Sequence, residues 1–195
     1  VEENTNRETT VVVTADHGEN LGYPADDELL AHKGVLTEGL LHVPLLVLNA
    51  PDEWQDIDES QYVSHTDLGT LLVGLANGEV PDITAERILA ERIGSNMASG
   101  ATKNERTEWD KMIRVVYEGT TKFEWNSQGE HFRDTLNPDR PNWQVESDGD
   151  VPVTEFDTKL FDVPLQEFKQ QAKRESSAVD VDQATEDRLV DLGYL

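Results

Sequence analysis

The chain has 195 residues and carries forty acidic against sixteen basic side chains, a net charge of −24. That balance excludes the electrostatic footprint of a nucleic-acid binder and a basic membrane patch, and the absence of cysteine excludes disulfides and thiolate metal sites. Apolar residues make up only 36%, low for a globular chain. They fall in periodic runs, however, and the length suits one domain of ordinary size with a small appended unit.

Thr9–Thr14 is a β-branched run that reads as a buried strand. It ends in Asp16-His17-Gly18, so two metal-capable side chains sit where a strand meets its loop. Open α/β sheets bind ligands in the crevice outside the carboxyl ends of their strands, and the glycine lets the backbone turn away. Glu19–Ala31, rich in Gly, Pro and Asp, reads as a loop and leads into His32-Lys33-Gly34. Thr37–Leu41 reads as a short helix, Val43–Leu48 as a second buried strand and Pro51–Ser60 as an acidic surface loop. Thr66 and Asp67 offer oxygens to the N–H groups opening a helix through Leu75, which Asn77-Gly78 terminates.

Residues 84–95 have helix propensity when read alone, and Met97–Arg106 is a polar loop. Lys111–Tyr117 and Thr121–Trp125 are β-rich runs joined by Glu118-Gly119-Thr120, a hairpin pattern. Asn137–Asp150 is turn-rich, while Pro164–Ser176 and Thr185–Leu192 read as helices. No internal repeat is visible, no apolar run approaches membrane-spanning length, and there is no signal-peptide pattern.

Thr14-Ala15-Asp16-His17-Gly18, then Lys33, Thr37-Glu38 and Val43-Pro44-Leu45-Leu46-Val47, together resemble the sulfatase branch of the alkaline phosphatase superfamily. Val63-Ser64-His65-Thr66-Asp67-Leu68 and the run Leu71–Leu75 are similar to a helix start of that family, and Leu192-Gly193-Tyr194-Leu195 to the last residues of many sulfatases. The likeness is strong over residues 9–76 and weaker but continuous beyond. His42 departs from it, since the family usually has Arg before Val-Pro. The resemblance implies an α/β fold. Residues 1–83 would form part of an alkaline-phosphatase-like sheet sandwiched by helices, mixed or parallel, with the Asp67–Leu75 helix packed against it. Residues 84–195 would form a small antiparallel sheet subdomain with a C-terminal helix. It also implies a strand over Arg87–Ile93, against local helix propensity, and a natural chain end.

Sulfate and phosphate ester cleavage uses a cation to orient the nucleophile and neutralise the transferring group. A hard cation such as Ca²⁺ or Mg²⁺ takes oxygen ligands, which suits Asp16; His17 suits a softer metal, and Mn²⁺ or Zn²⁺ would fit a phosphatase-like site. An isolated Asp-His-Gly reads more simply as a turn cap beside a packed histidine. Lys33 and Val43-Pro44 in register behind it reverse that balance, and the resemblance implies that both side chains are metal ligands. Lys33 is a compact point charge suited to an equatorial oxygen of the ester, and the resemblance implies that it binds the sulfate group. His32 is either a general acid to the leaving oxygen or a hydrogen-bond partner beside the substrate. His65 is expected to make a local bond at its helix start. Glu38 is expected to be structural, capping its helix or pairing with a backbone group, and Trp109, Tyr117, Phe123 and Trp125 to pack.

In the family resembled, the nucleophile is a Cys or Ser of a Cys/Ser-X-Pro-X-Arg motif converted to formylglycine, and this sequence contains no such motif. The reading is therefore the C-terminal part of a sulfatase-like hydrolase acting on a sulfate ester. A phosphodiesterase or phosphonate hydrolase is the near alternative, and a non-catalytic remnant with a structural role the alternative of another class. Taken alone the chain is expected to be inactive, to bind cations weakly and to self-associate through Val11–Val13 and Leu45–Val47. Its dispersed acidity, with seven Lys, suits a high-salt cytoplasm where self-repulsion is screened, pointing to a halophilic archaeon. A cytoplasmic location is favoured, with any export signal lying upstream.

Overall fold

A computed structural model describes residues 9–24, 28–31, 35–52, 54, 61–94, 110–137, 139–140, 147–150, 160–176, 183–185 and 188. The β-branched run forms strand β1, Val11–Thr14. Asn20–Leu21 (β2) and Leu30–Ala31 (β3) pair as a two-residue antiparallel ladder inside the segment read as a loop. The single-turn helix α1, Glu38–Leu41, leads to β4, Leu45–Leu48.

β4 pairs with β1 antiparallel, Val11 opposite Leu48 and Thr14 opposite Leu45, which corrects the expectation of a mixed or parallel sheet. A parallel return needs a crossover that carries the chain back to the start of the first strand. Here the Gly18 N–H donates to the Leu40 carbonyl at 2.8 Å. The last turn of α1, a few residues before β4, is thereby pinned beside the loop that leaves β1. A helix of four residues, roughly 6 Å long, cannot undo that placement. Side chains extend the pairing past the strand ends: Thr10 Oγ1 donates to the Asn49 carbonyl at 2.9 Å, and Asn49 Nδ2 to the Thr9 carbonyl at 3.1 Å.

Tyr62–Val63 (β5) pairs with Thr84–Ala85 (β6). Between them a 3₁₀ turn, His65–Asp67, runs into helix α2, Leu68–Ala76. The cap is Ser64, whose hydroxyl accepts from the Thr66 N–H at 3.3 Å; Asp67 makes no side-chain cap bond. Thr66 and Asp67 are thus drawn into the turn that Ser64 opens. At the other end Gly78 has φ +75, its N–H donates to Leu75 O at 3.1 Å, and the Glu79 N–H donates to Gly74 O at 2.9 Å. These are the two bonds of a Schellman closure, as Asn77-Gly78 predicts.

Beyond β6 the chain builds a five-stranded antiparallel sheet from Arg87–Arg92 (β7), Ile113–Glu118 (β8), Thr121–Asn126 (β9), His131–Thr135 (β10) and Ser147–Asp150 (β11), in the order β11-β10-β9-β8-β7. The strand over Arg87–Arg92 and the hairpin turning at Gly119, with φ +55, match the sequence reading. β11 does not: its four residues lie in a stretch read as turns. Ile113, Val115 and Tyr117 form one face with Leu36 and Leu136, against which Leu41, Tyr62, Ile88 and Ala90 pack. On the other face Arg114 lies under Phe161 and Phe168, 4.2 and 5.5 Å from their ring centres. Trp125 meets Phe161 edge-on at 5.4 Å, and helix α3, Leu165–Ser176, follows. Tyr117 and Trp125 are core residues, as assigned. Trp109 and most of the Thr185–Leu192 segment lie outside the described residues, as does most of Pro51–Ser60. Among the described residues no helix is long and apolar enough to cross a membrane.

Candidate functional site

Asp16 and His17 emerge directly from the carboxyl end of β1. Asp16 is 79% exposed at its side chain and turns back on itself, its Oδ1 accepting from the His17 N–H at 3.0 Å. His17 is held more firmly. Its Nδ1 lies 2.7 Å from the Gly18 carbonyl oxygen, and since a carbonyl can only accept, Nδ1 carries a proton. In the neutral ring this makes Nε2 the lone-pair nitrogen, and Nε2 stands 3.9 Å from Asp16 Oδ2. A histidine whose second nitrogen donates to a carbonyl is the usual preparation of a metal ligand, and an oxygen and a nitrogen at that separation can contact one cation. The pair fits a divalent metal as two donors of a larger set. Among the described residues no group of three or more His, Asp or Glu is placed to hold a metal.

His32 and Lys33 lie outside the described residues. Two neighbours of the pair escaped the sequence reading. His65 does not confine itself to a local bond at its helix: its Nε2 lies 3.4 Å from Thr14 Oγ1, bringing the start of α2 to the end of β1. Asn20, fully buried, accepts from the Thr37 hydroxyl at 2.5 Å and ties the segment after Gly18 to the entry of α1. His65 stands inside the Val63–Leu68 pattern, which could have signalled it; nothing in the sequence singles out Asn20.

Glu38 also departs from expectation. It neither caps α1 nor binds backbone. Its carboxylate is buried 3.2 Å from Lys122 Nζ and accepts from the Tyr117 hydroxyl at 2.6 Å. Burial, and then the Glu38 charge, hold the Tyr117 phenol well above its ordinary range. The same two causes raise Tyr62, whose ring tilts against that of Tyr117 at 5.8 Å.

The sulfatase family model matches residues 1–78. The match covers β1 through α2, and so the Asp16–His17 pair, and at family level it supports a sulfatase-like hydrolase with an ester substrate. It fits an alkaline-phosphatase-like fold for this part of the chain. Neither the curated proteins nor the solved structures give a match.

Proposed function

We propose that this chain supplies the metal-binding and anion-binding side of a sulfate ester hydrolase. The observation that carries the reading is the delivery of Asp16 and His17, with a prepared Nε2, from the end of β1 inside the sulfatase-matched segment. Asp16 is the first ligand for Ca²⁺ or Mg²⁺ and His17 the second. A cation held there would neutralise the ester oxygens and orient the attacking group. Lys33 is assigned to an equatorial oxygen of the sulfate and His32 to the leaving-group side. The sequence has no Cys and no Ser-X-Pro-X-Arg, so the nucleophile is assigned to residues outside these 195. In this reading residues 1–83 belong to the catalytic α/β unit and 84–195 to an α+β unit beside it. The nitrogen donor of His17 favours one second reading, a phosphodiester or phosphonate hydrolase using a softer metal such as Mn²⁺ or Zn²⁺.

The test is paramagnetic broadening of the His17 ring resonances by Mn²⁺ in molar salt, with nitrophenyl sulfate and bis-nitrophenyl phosphate cleavage assayed in parallel. Weak, saturable broadening that Asp16→Ala abolishes is the expected result, with no turnover by the chain alone. No broadening at His17 with millimolar Mn²⁺ would overturn the metal assignment. Robust turnover lost in Asp16→Ala would place the nucleophile within these residues.

A further inference from the structure

The turn that follows Asp16 and His17 has no side chain between it and α1. A Cβ built on Gly18 would lie 2.0 Å from the Gly39 carbonyl oxygen and 3.4 Å from the Leu40 Cα, and the Gly18 N–H is bonded to the Leu40 carbonyl. The Asp16–His17 loop therefore stands wherever α1 stands. A single helical turn has no stability of its own, so something else must fix α1.

That something is the second sheet. Tyr117 and Lys122 are register partners across the β8–β9 hairpin, and both reach the buried Glu38 carboxylate. Lys122 also donates to the Leu36 carbonyl, and Leu36 itself sits in the core of that sheet. One cross-strand pair thus grips α1 by a side chain and by the backbone ahead of it. A buried ion pair is a poor source of stability, because apolar residues of the same volume do as well or better, but it can register one element against another.

We propose that Glu38 is a positioning residue. Through α1 and Gly18 it sets where Asp16 and His17 stand, so that the β8–β9 hairpin, which contributes neither side chain of the pair, governs their geometry. The functional meaning of this coupling rests on the reading of Asp16 and His17 as metal ligands; the coupling itself does not.

Hydrogen exchange on the metal-free 195-residue chain tests it. The double variant Glu38→Gln/Lys122→Met removes both charges at nearly constant volume, and Tyr117→Phe removes a single hydroxyl. In the double variant the Gly18 amide should exchange about tenfold faster while the β8 amides stay within about threefold of wild type, and the His17 ring resonances should shift. Tyr117→Phe should move Gly18 in the same direction by less, and it decides the matter if the double variant does not fold. Unchanged Gly18 exchange in a folded variant would overturn the proposal, as would parallel loss at Gly18 and β8, which is ordinary destabilisation. If Gly18 responds as expected but Mn²⁺ leaves the wild-type His17 ring untouched, the coupling stands and the metal reading falls.

Discussion

The β1–β4 pair and strand β8 are both rich in apolar residues, β8 interrupted by the buried Arg114, yet they end in opposite surroundings. In β8 every residue from Ile113 to Tyr117 is buried, one face against Leu36 and Leu136, the other against the aromatic residues before and within α3. In the β1–β4 pair Val13 and Leu46 stand directly opposite each other and remain 46% and 49% exposed. Both segments have the composition of a strand covered on two faces, but the described residues supply that cover only for β8. An apolar run states what a strand needs; whether the fold provides it depends on what packs above and below. The difference also divides the labour. The closed sheet can anchor, while the open pair carries the exposed candidate ligand Asp16.

The two regions meet at Glu38, and the largest expected effect lies there. Glu38→Ala strands the Lys122 ammonium in the core, and removing one partner of a buried pair costs about 3–5 kcal/mol. Urea unfolding should register that loss across the whole chain. A loss no larger than that of an exposed substitution would mean that the regions fold independently of this contact.

Next comes the contrast itself. Met112, fully buried beside β8, should lose about 2–5 kcal/mol on Met112→Ala. Leu46→Thr in the open pair places a β-branched residue of good strand propensity at a half-exposed position and should change stability by no more than about 0.5 kcal/mol. Its effect should appear in association instead. Exposed apolar strands template pairing between chains, so Val13→Thr/Leu46→Thr should lower the sedimentation-average mass in molar salt, where acidic repulsion is screened. Equal stability losses at Met112 and Leu46 would erase the distinction between the regions.

Much of this fold is legible in the residues. The β-branched run before Asp16, the Gly119 hairpin and the Asn77-Gly78 stop depend on neighbours in sequence and can be read there. The antiparallel sense of β1 and β4 cannot, because it follows from Gly18 meeting Leu40, a backbone contact that leaves no pattern beyond a glycine. The cap of α2 is hidden for a local reason: Ser64, Thr66 and Asp67 all offer capping oxygens, and only the 3₁₀ turn selects Ser64. At the site, Asp16 and His17 are legible because strand end and donor chemistry coincide. The partner of Glu38 is not, since Tyr117 lies 79 residues away and reads as a simple core aromatic.

The smallest effect concerns Glu124, on β9 opposite Val115 and so on the closed face that receives α1. Burial raises its carboxyl above the ordinary 4.5, with Asp134 and Glu130 adding to the rise and Lys122 and Lys111 opposing it. A carboxyl with a raised folded value binds its proton more tightly when folded, so its favourable contribution is complete below 4.5 and is lost as pH rises through the folded value. Glu130 runs the other way. Hydrogen bonds from Lys111 and Asn126 lower it, so its contribution is present above 4.5 and lost as pH falls. Glu124→Gln removes only the first dependence. The melting temperature of the variant relative to wild type should therefore increase from pH 4 to pH 7, while both chains keep the acid-side loss that Glu130 brings. A difference that is flat or shrinks over that range would mean that the Glu124 carboxylate is as well solvated as a surface group, and that the closed face of the sheet is open to water at β9.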